Sequence, residues 1–182
     1  MIIVMGLPGA GKTTVLGTLK GKRQDYKFLN YGDLMLEIER EKGWVVTRDE
    51  MRKLPVEKQK IAQGLVAKAL SKEKDKIILD THCSISTPSG YFPGLPFDFL
   101  KNLKVDALVY VTADPDEIHK RRKKDLNRVR DEEPLGHIIE HDNINRYYLA
   151  AYSAFTGAPA VIVYNKEGGI DETVLKVGNI LK

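Results

Sequence analysis

Apolar positions in this chain fall into short dense runs, separated by longer stretches where they recur every three or four residues. The dense runs are IIVM (2–5), YKFLN (26–30), KIILD (76–80), ALVYVT (107–112) and AVIVYN (160–165). Each is rich in β-branched or aromatic residues, and most lack strict alternation with polar ones. That is the pattern of strands covered on both faces. The stretches between them predict helices at about 12–20, 32–42, 48–54, 56–73, 94–103, 115–124, 137–155 and 171–181. Several starts look capped. Thr47 with Glu50 forms a T-x-x-E box, Pro55 suits a first helical position, and Asp114 precedes Pro115. No repeat, low-complexity tract or linker interrupts the alternation. Strands alternating with helices imply an α/β fold, a parallel sheet covered on both faces, with ligands at the carboxyl edge of its strands.

Composition narrows this only a little. The 182 residues fit one domain, 1–182, and a chain of this length buries about 70% of its unfolded surface without metal or disulfide staples. The single cysteine, Cys83, cannot bridge internally, which favours a reducing compartment. No apolar stretch reaches the length of a membrane span and no secretory leader precedes MIIVM, so the expectation is a cytoplasmic protein without a membrane partner. The net charge of +4 suits nucleic acid or small polyanions equally, and only the placement of the cations can choose.

The opening loop carries the strongest signal. Gly6, Leu7, Pro8, Gly9, Ala10, Gly11, Lys12 and Thr13 match G-x-x-x-x-G-K-[ST] in full, after a predicted strand and before a predicted helix. Glycines let the backbone wrap with its N–H groups turned inward on a phosphate, and the helix start adds its positive end. Lys12 then reaches the β/γ-phosphates and the Thr13 hydroxyl can ligate Mg²⁺. Thr14 either caps or lies near the phosphates. The loop alone does not name a reaction.

Other candidates follow the later strands. Arg48 and Arg52 stand four apart and share one face of a helix. On spacing alone, a solvated charged face explains them better than an anion site does. Asp80, ending the third strand, is the best metal-side carboxylate, although a strand-end cap would read the same. His82 follows in a loop, where histidines are more often structural. The loop TPSGYFPGLP (87–96) can wall a base pocket with Tyr91 or Phe92, or be a rigid turn with core aromatics. A basic stretch from Lys120 through Arg121, Arg122, Lys123, Lys124, Arg128 and Arg130 ends in a non-helical bridge. Such a bridge can close on a transferring phosphoryl group. It can also bind a nucleic-acid backbone, but no aromatic platform is interleaved within 119–134.

The P-loop, NYGDLML (30–36), TRDEMRKL (47–54), DTHCSISTPSGYFPGLP (80–96) and RRKKDLNRVRD (121–131) occur in that order. In this the chain resembles archaeal-type adenylate kinases over nearly its whole length. The resemblance implies a P-loop three-layer α/β/α fold with a five-stranded parallel sheet, a nucleoside-monophosphate insertion at about 31–73 and a short lid at about 125–136. It implies Mg²⁺-dependent, reversible transfer between ATP and AMP to give two ADP, and a homotrimer. Carried over by position, Gly6–Thr14 would hold the ATP phosphates. Tyr31, Gly32 and Asp33 would lie near AMP with His82 and Tyr91. Arg122 would flank the ATP adenine or its phosphates, and Arg128, Arg130 and Arg146 would converge on the phosphoryl group. Thr13, and Asp80 through water, would serve the metal, and NKEGG (165–169) resembles the loop whose backbone recognises adenine.

Two departures bear on the acceptor. The AMP-binding arginine of common adenylate kinases is Leu36 here, and their DGFPR is DTHCS. Arg52, supported by Arg48, is then the expected cation for the AMP phosphate. The four-cysteine lid of some members is absent. One rival is a P-loop NTPase regulating RNA or ribosome assembly through the 119–130 cations. Another is a GTP switch, disfavoured because NKEGG lacks the acid of N/T-K-x-D. Another monophosphate is also a possible acceptor.

Overall fold

A computed structural model describes residues 1–51, 53–124 and 134–181. Seven strands run through them: β1 (Ile2–Gly6), β2 (Tyr26–Asn30), β3 (Lys76–Asp80), β4 (Ser84–Thr87), β5 (Gly90–Pro93), β6 (Ala107–Thr112) and β7 (Ala160–Tyr164). The five apolar runs form one sheet in the order β2-β3-β1-β6-β7, with every neighbouring pair parallel.

The strands alternate after all, but between two apolar environments. Ile2 and Val4 face one core cluster while Ile3 and Met5 face the other. Ile78 opposes Ile77 and Leu79, and Val109 and Val111 oppose Leu108 and Tyr110, in the same way. On the first face lie α1 (Lys12–Lys22) and α8 (Ile170–Ile180), packed through Val15, Leu19, Val174 and Val177. On the second lie α2 (Tyr31–Glu41), α4 (Val56–Leu70), α5 (Phe97–Leu100) and α7 (Leu135–Thr156), packed through Met35, Val66, Phe99 and Leu149. Each large apolar side chain so buried stabilises the fold by roughly 1.5–3 kcal/mol. The short α3 (Arg48–Met51) follows α2, and α6 (Pro115–Lys124) follows β6, tucking Ile118 against Leu7 and Ala10.

Local chemistry sets the helix starts. Asn30 caps α2 by accepting from the Asp33 N–H at 3.1 Å. Asp114 accepts from the Asp116 N–H at 2.9 Å, with Pro115 as the first helical residue. The Glu50 carboxylate reaches back to the N–H of Val46 at 2.6 Å and of Thr47 at 3.4 Å, which holds its carboxyl below the usual range. Pro55 stands at the cap of α4, one place earlier than expected.

The main departure lies between β3 and β6. The sequence predicts a loop at 87–96 and a helix at 94–103, but residues 84–93 form an antiparallel hairpin, with Ser84 opposite Pro93 and Thr87 opposite Gly90. The helix is confined to Phe97–Leu100, begun by Pro96 at its cap. Gly94 joins the two. A Cβ there would sit 2.0 Å from the His82 carbonyl oxygen, so only glycine lets the hairpin fold back onto the end of β3.

Candidate active site

The opening loop leaves the carboxyl end of β1, in the middle of the sheet. Gly6 is required by close approach, because a Cβ on it would stand 2.5 Å from the Val111 carbonyl oxygen of β6. Gly9 and Gly11 take φ of +91° and +87°, a backbone that other residues rarely adopt. Buried Leu7 and Ala10 anchor the loop, and the Ala10 N–H closes a turn onto the Leu7 carbonyl at 3.1 Å. Helix α1 then starts at Lys12 with no side-chain cap and no acidic residue in its first turn. Its free N–H groups and positive dipole end are therefore left for an outside anion.

Lys12 makes an ion pair with Asp80 at the end of β3. Its side chain is only 11% exposed, and burial pulls its ammonium down to about 8. Asp80 also accepts from Asn30 Nδ2 at 3.0 Å. Sheet register explains this meeting, since Asp80 pairs with Val4 of β1 on one side and Asn30 of β2 on the other. Thr13 and Thr14 are exposed in the first turn of α1. The Thr13 hydroxyl and Asp80 carboxylate are hard oxygen donors, which suit Mg²⁺. Among the described residues no group of three or more His, Cys, Asp or Glu could hold a metal, so such an ion would take its other ligands from phosphates and water.

The second candidate anion site lies at the head of α2, two strands along. Arg48 pairs with Asp33, and its guanidinium nitrogens stand 3.6 and 3.7 Å from where a Cβ on Gly32 would lie. Gly32 and Asp33 are thus brought to Arg48. Tyr31 is not, because its ring turns into the core and packs edge-on against Phe99 at 4.8 Å. Only its backbone remains near that site. Arg52, Arg128 and Arg130, and residues 125–133 of the lid expected at about 125–136, lie outside the described residues.

His82 is open to water yet crowded by protein, near enough to both Lys12 and Arg48 to feel their charges. That crowding, followed by the charge of Lys12, pulls its pKa down to about 4, so the ring is neutral at pH 7. Tyr91, on β5, lies against α7, with ring centroids 5.0 Å from His141 and 6.0 Å from His137. Its carbonyl accepts from the Tyr148 hydroxyl at 2.9 Å.

Arginines line the far side. Arg122 lies along the phosphate loop, donating from Nε to the Pro8 carbonyl at 2.8 Å. Arg146 is held by Asp142 at 2.7–2.8 Å and lies over the Tyr164 ring at 5.6 Å. Asp142 is buried and also accepts from the hydroxyls of Tyr110 at 2.8 Å and Thr112 at 2.6 Å. Three residues that touch this machinery were given no side-chain role of their own by sequence reasoning. They are Asp142, Arg121, whose buried Nη1 has no hydrogen-bond partner, and Asn165, which bonds the Ala10 carbonyl. The only signals were Arg121's place in the basic stretch and Asn165's at the head of NKEGG.

A phosphate loop on the central strand of a five-stranded parallel sheet, facing a carboxylate on the next strand, defines a P-loop nucleotide-binding protein. A family model described as an AAA domain matches residues 5–139. Two solved shikimate kinases share the fold. One, from Acinetobacter baumannii in complex with shikimate, has a TM-score of 0.60 at 23% identity, covering 100% of this chain and 94% of that one. The other, from Bacteroides thetaiotaomicron, has a TM-score of 0.62 at 16% identity, covering 99% and 96%. Adenylate kinases are far more similar in sequence. That of Methanopyrus kandleri is 47% identical, covering 96% of this chain and 93% of the relative. That of Methanothermobacter thermautotrophicus is 45% identical, covering 100% and 99%. The chain belongs to the adenylate kinase family.

Proposed function

We propose that the protein transfers the γ-phosphoryl group of MgATP reversibly to AMP, giving two ADP, with residues 6–14 holding the donor phosphates and Arg48 at the acceptor phosphate. The observation that carries this reading is the placement of two anion cradles on either side of Asp80. The capless start of α1 lies over β1, and the head of α2 with Arg48 lies over β2. A single-substrate NTPase has no use for the second cradle.

The chemistry asks for positioning and charge neutralisation more than for covalent help. Main-chain amides of the loop and Lys12 grip the donor, while Arg48 and Gly32 orient the acceptor phosphate. Arg122 and Arg146 supply positive charge beside the loop, and His82, neutral, lines the gap without adding charge. Arg128, Arg130 and Arg52 keep the roles that the resemblance implies for them. When bound, Mg²⁺ neutralises the β/γ-phosphates; Thr13 would hold it directly and Asp80 through water. A cytoplasmic homotrimer belongs to the same reading, and a solution mass equal to one 20.5 kDa chain would remove the trimer from it.

The test is a coupled assay with ATP as donor and AMP, CMP, UMP, GMP or dTMP as acceptor. ADP should form with AMP and scarcely with the others. ATP hydrolysis that ignores AMP and rises with added RNA would overturn the proposal in favour of an RNA-dependent NTPase.

A further inference from the structure

Asn165 follows β7 directly and is 6% exposed. Each polar group it carries is engaged, and each on a different element. Its N–H donates to the Thr112 carbonyl at the end of β6, at 2.7 Å. Its carbonyl accepts from Arg121 of α6 at 3.0 Å. Its Oδ1 accepts from the Thr173 hydroxyl of α8 at 3.2 Å, and its Nδ2 donates to the Ala10 carbonyl of the phosphate loop at 2.9 Å. The side chain also fills the space beside Gly11, where a Cβ would lie 2.2 Å from Nδ2.

The bond to Ala10 has a consequence for the neighbouring amide. In a trans peptide the C=O and the following N–H point in opposite directions. Pinning the Ala10 carbonyl toward Asn165 therefore turns the Gly11 N–H to the other side of the loop. Gly11 has little conformational preference of its own, so something outside it must hold that peptide in place. We propose that Asn165 is a positioning residue for the donor site, fixing the Ala10–Gly11 peptide so that the Gly11 amide is aimed at the donor's polyphosphate. The proposal rests on residues 6–14 being the donor site. It adds a side-chain role to a loop for which the resemblance implied only backbone contacts with the base. The Ala10 carbonyl can only accept, so the NH₂ end of the amide faces it, and the Thr173 hydroxyl, shared with the Gly169 carbonyl at 3.0 Å, packs on the Oδ1 end.

The test is Asn165→Asp, which keeps the shape but sets an ionised oxygen against the Ala10 carbonyl. KM for ATP should rise about tenfold or more, the size expected when a buried bond becomes a mismatch. KM for AMP should stay within about twofold, on the same principle that distant sites do not couple. The gap to wild type should narrow as pH falls from 8 toward 5.5, because a protonated carboxyl can donate to Ala10 again. A purely structural staple would raise both KM values alike or lower only the thermal midpoint, with no recovery at low pH, and either result overturns the proposal. Should that variant not fold, Thr173→Val carries the test. It leaves Ala10 untouched and should shift KM for ATP alone, by about two- to fivefold for one neutral bond. Equal shifts for both substrates would again overturn it. Binding of inorganic tripolyphosphate separates the two levels. If wild type does not bind it, the donor-site reading fails; if wild type and Asn165→Asp bind it equally, only the role of Asn165 fails.

Discussion

ATP binding should be linked to a proton on Lys12. Burial lowers that ammonium from 10.5 to about 8. With only 11% of the side chain exposed, solvent screens little of this, and the charged form costs the ligand-free protein about 3 kcal/mol. A polyphosphate in the loop restores the charge. At pH 8 about half of the ligand-free molecules carry the proton, so binding should take up about half a proton per ATP. Affinity should scale with the charged fraction, which falls from about nine-tenths at pH 7 to one-tenth at pH 9. The dissociation constant should therefore rise about tenfold between those values.

Titration calorimetry at pH 8 in two buffers of different ionisation enthalpy measures the proton uptake directly. Lys12→Met should bind ATP weakly and show no uptake. The same shift acts on folding with a definite sign. The folded-state pKa lies below the unfolded one, so between about pH 8 and 10.5 the native protein binds fewer protons. The penalty is present in full below about pH 8 and is relieved as pH rises through that window, which raises the stability of the nucleotide-free protein. Asp80 opposes burial by favouring the ammonium. No uptake at pH 8, with a flat dissociation constant from pH 7 to 9, would mean that Asp80 wins and Lys12 stays charged without ligand. That result would refute the reasoning.

Gly94→Ala should destabilise the protein by about 3 kcal/mol, or roughly 6–12 °C in thermal midpoint, because backbone rather than a flexible side chain blocks the new methyl. An unchanged midpoint would show that the hairpin is not held against His82 as described. Arg48→Ala should raise KM for AMP about tenfold, the usual weight of a charged hydrogen bond, while KM for ATP stays within about twofold. Equal changes in the two constants would move Arg48 out of the acceptor site.

The fold was legible where its signal is local. Five short apolar runs became the five strands of the sheet because both faces are covered, and the phosphate loop is one contiguous motif. The β4–β5 hairpin was not legible. Thr87-Pro88-Ser89-Gly90 reads as a turn, but the flanking strands are short and earn their contacts from α7, as where Ser86 meets His137 at 3.3 Å. Asn165 and Arg121 were hidden for the same reason. The bond from Asn165 to Ala10 spans 155 residues and that from Arg121 to Asn165 spans 44. For Tyr31 the sequence did contain the sign that its ring packs in the core. Positions 31, 35 and 39 share one helix face, and all three are buried. The motif NYGD drew attention to the loop side of a residue whose ring belongs to the core.

Among the described residues, four cations of the site stand beside the protein's own carboxylates. Lys12 has Asp80, Arg48 has Asp33, Arg121 has Glu117 and Arg146 has Asp142. A phosphate entering either cradle must replace a carboxylate, so binding is an exchange of partners rather than a capture of free charge. The two exchanges differ in kind. Arg48 and Asp33 are 55% and 68% exposed, so their pair is weak, screened by salt and readily given up. Lys12 and Asp80 are 11% and 21% exposed, so theirs is shielded from salt and tied to the protonation of a buried amine. Ionic strength therefore acts mainly on the acceptor side and proton concentration on the donor side. The described part of the site is therefore selective in what it admits. It answers to anions that fit the cradles well enough to replace the carboxylates already there.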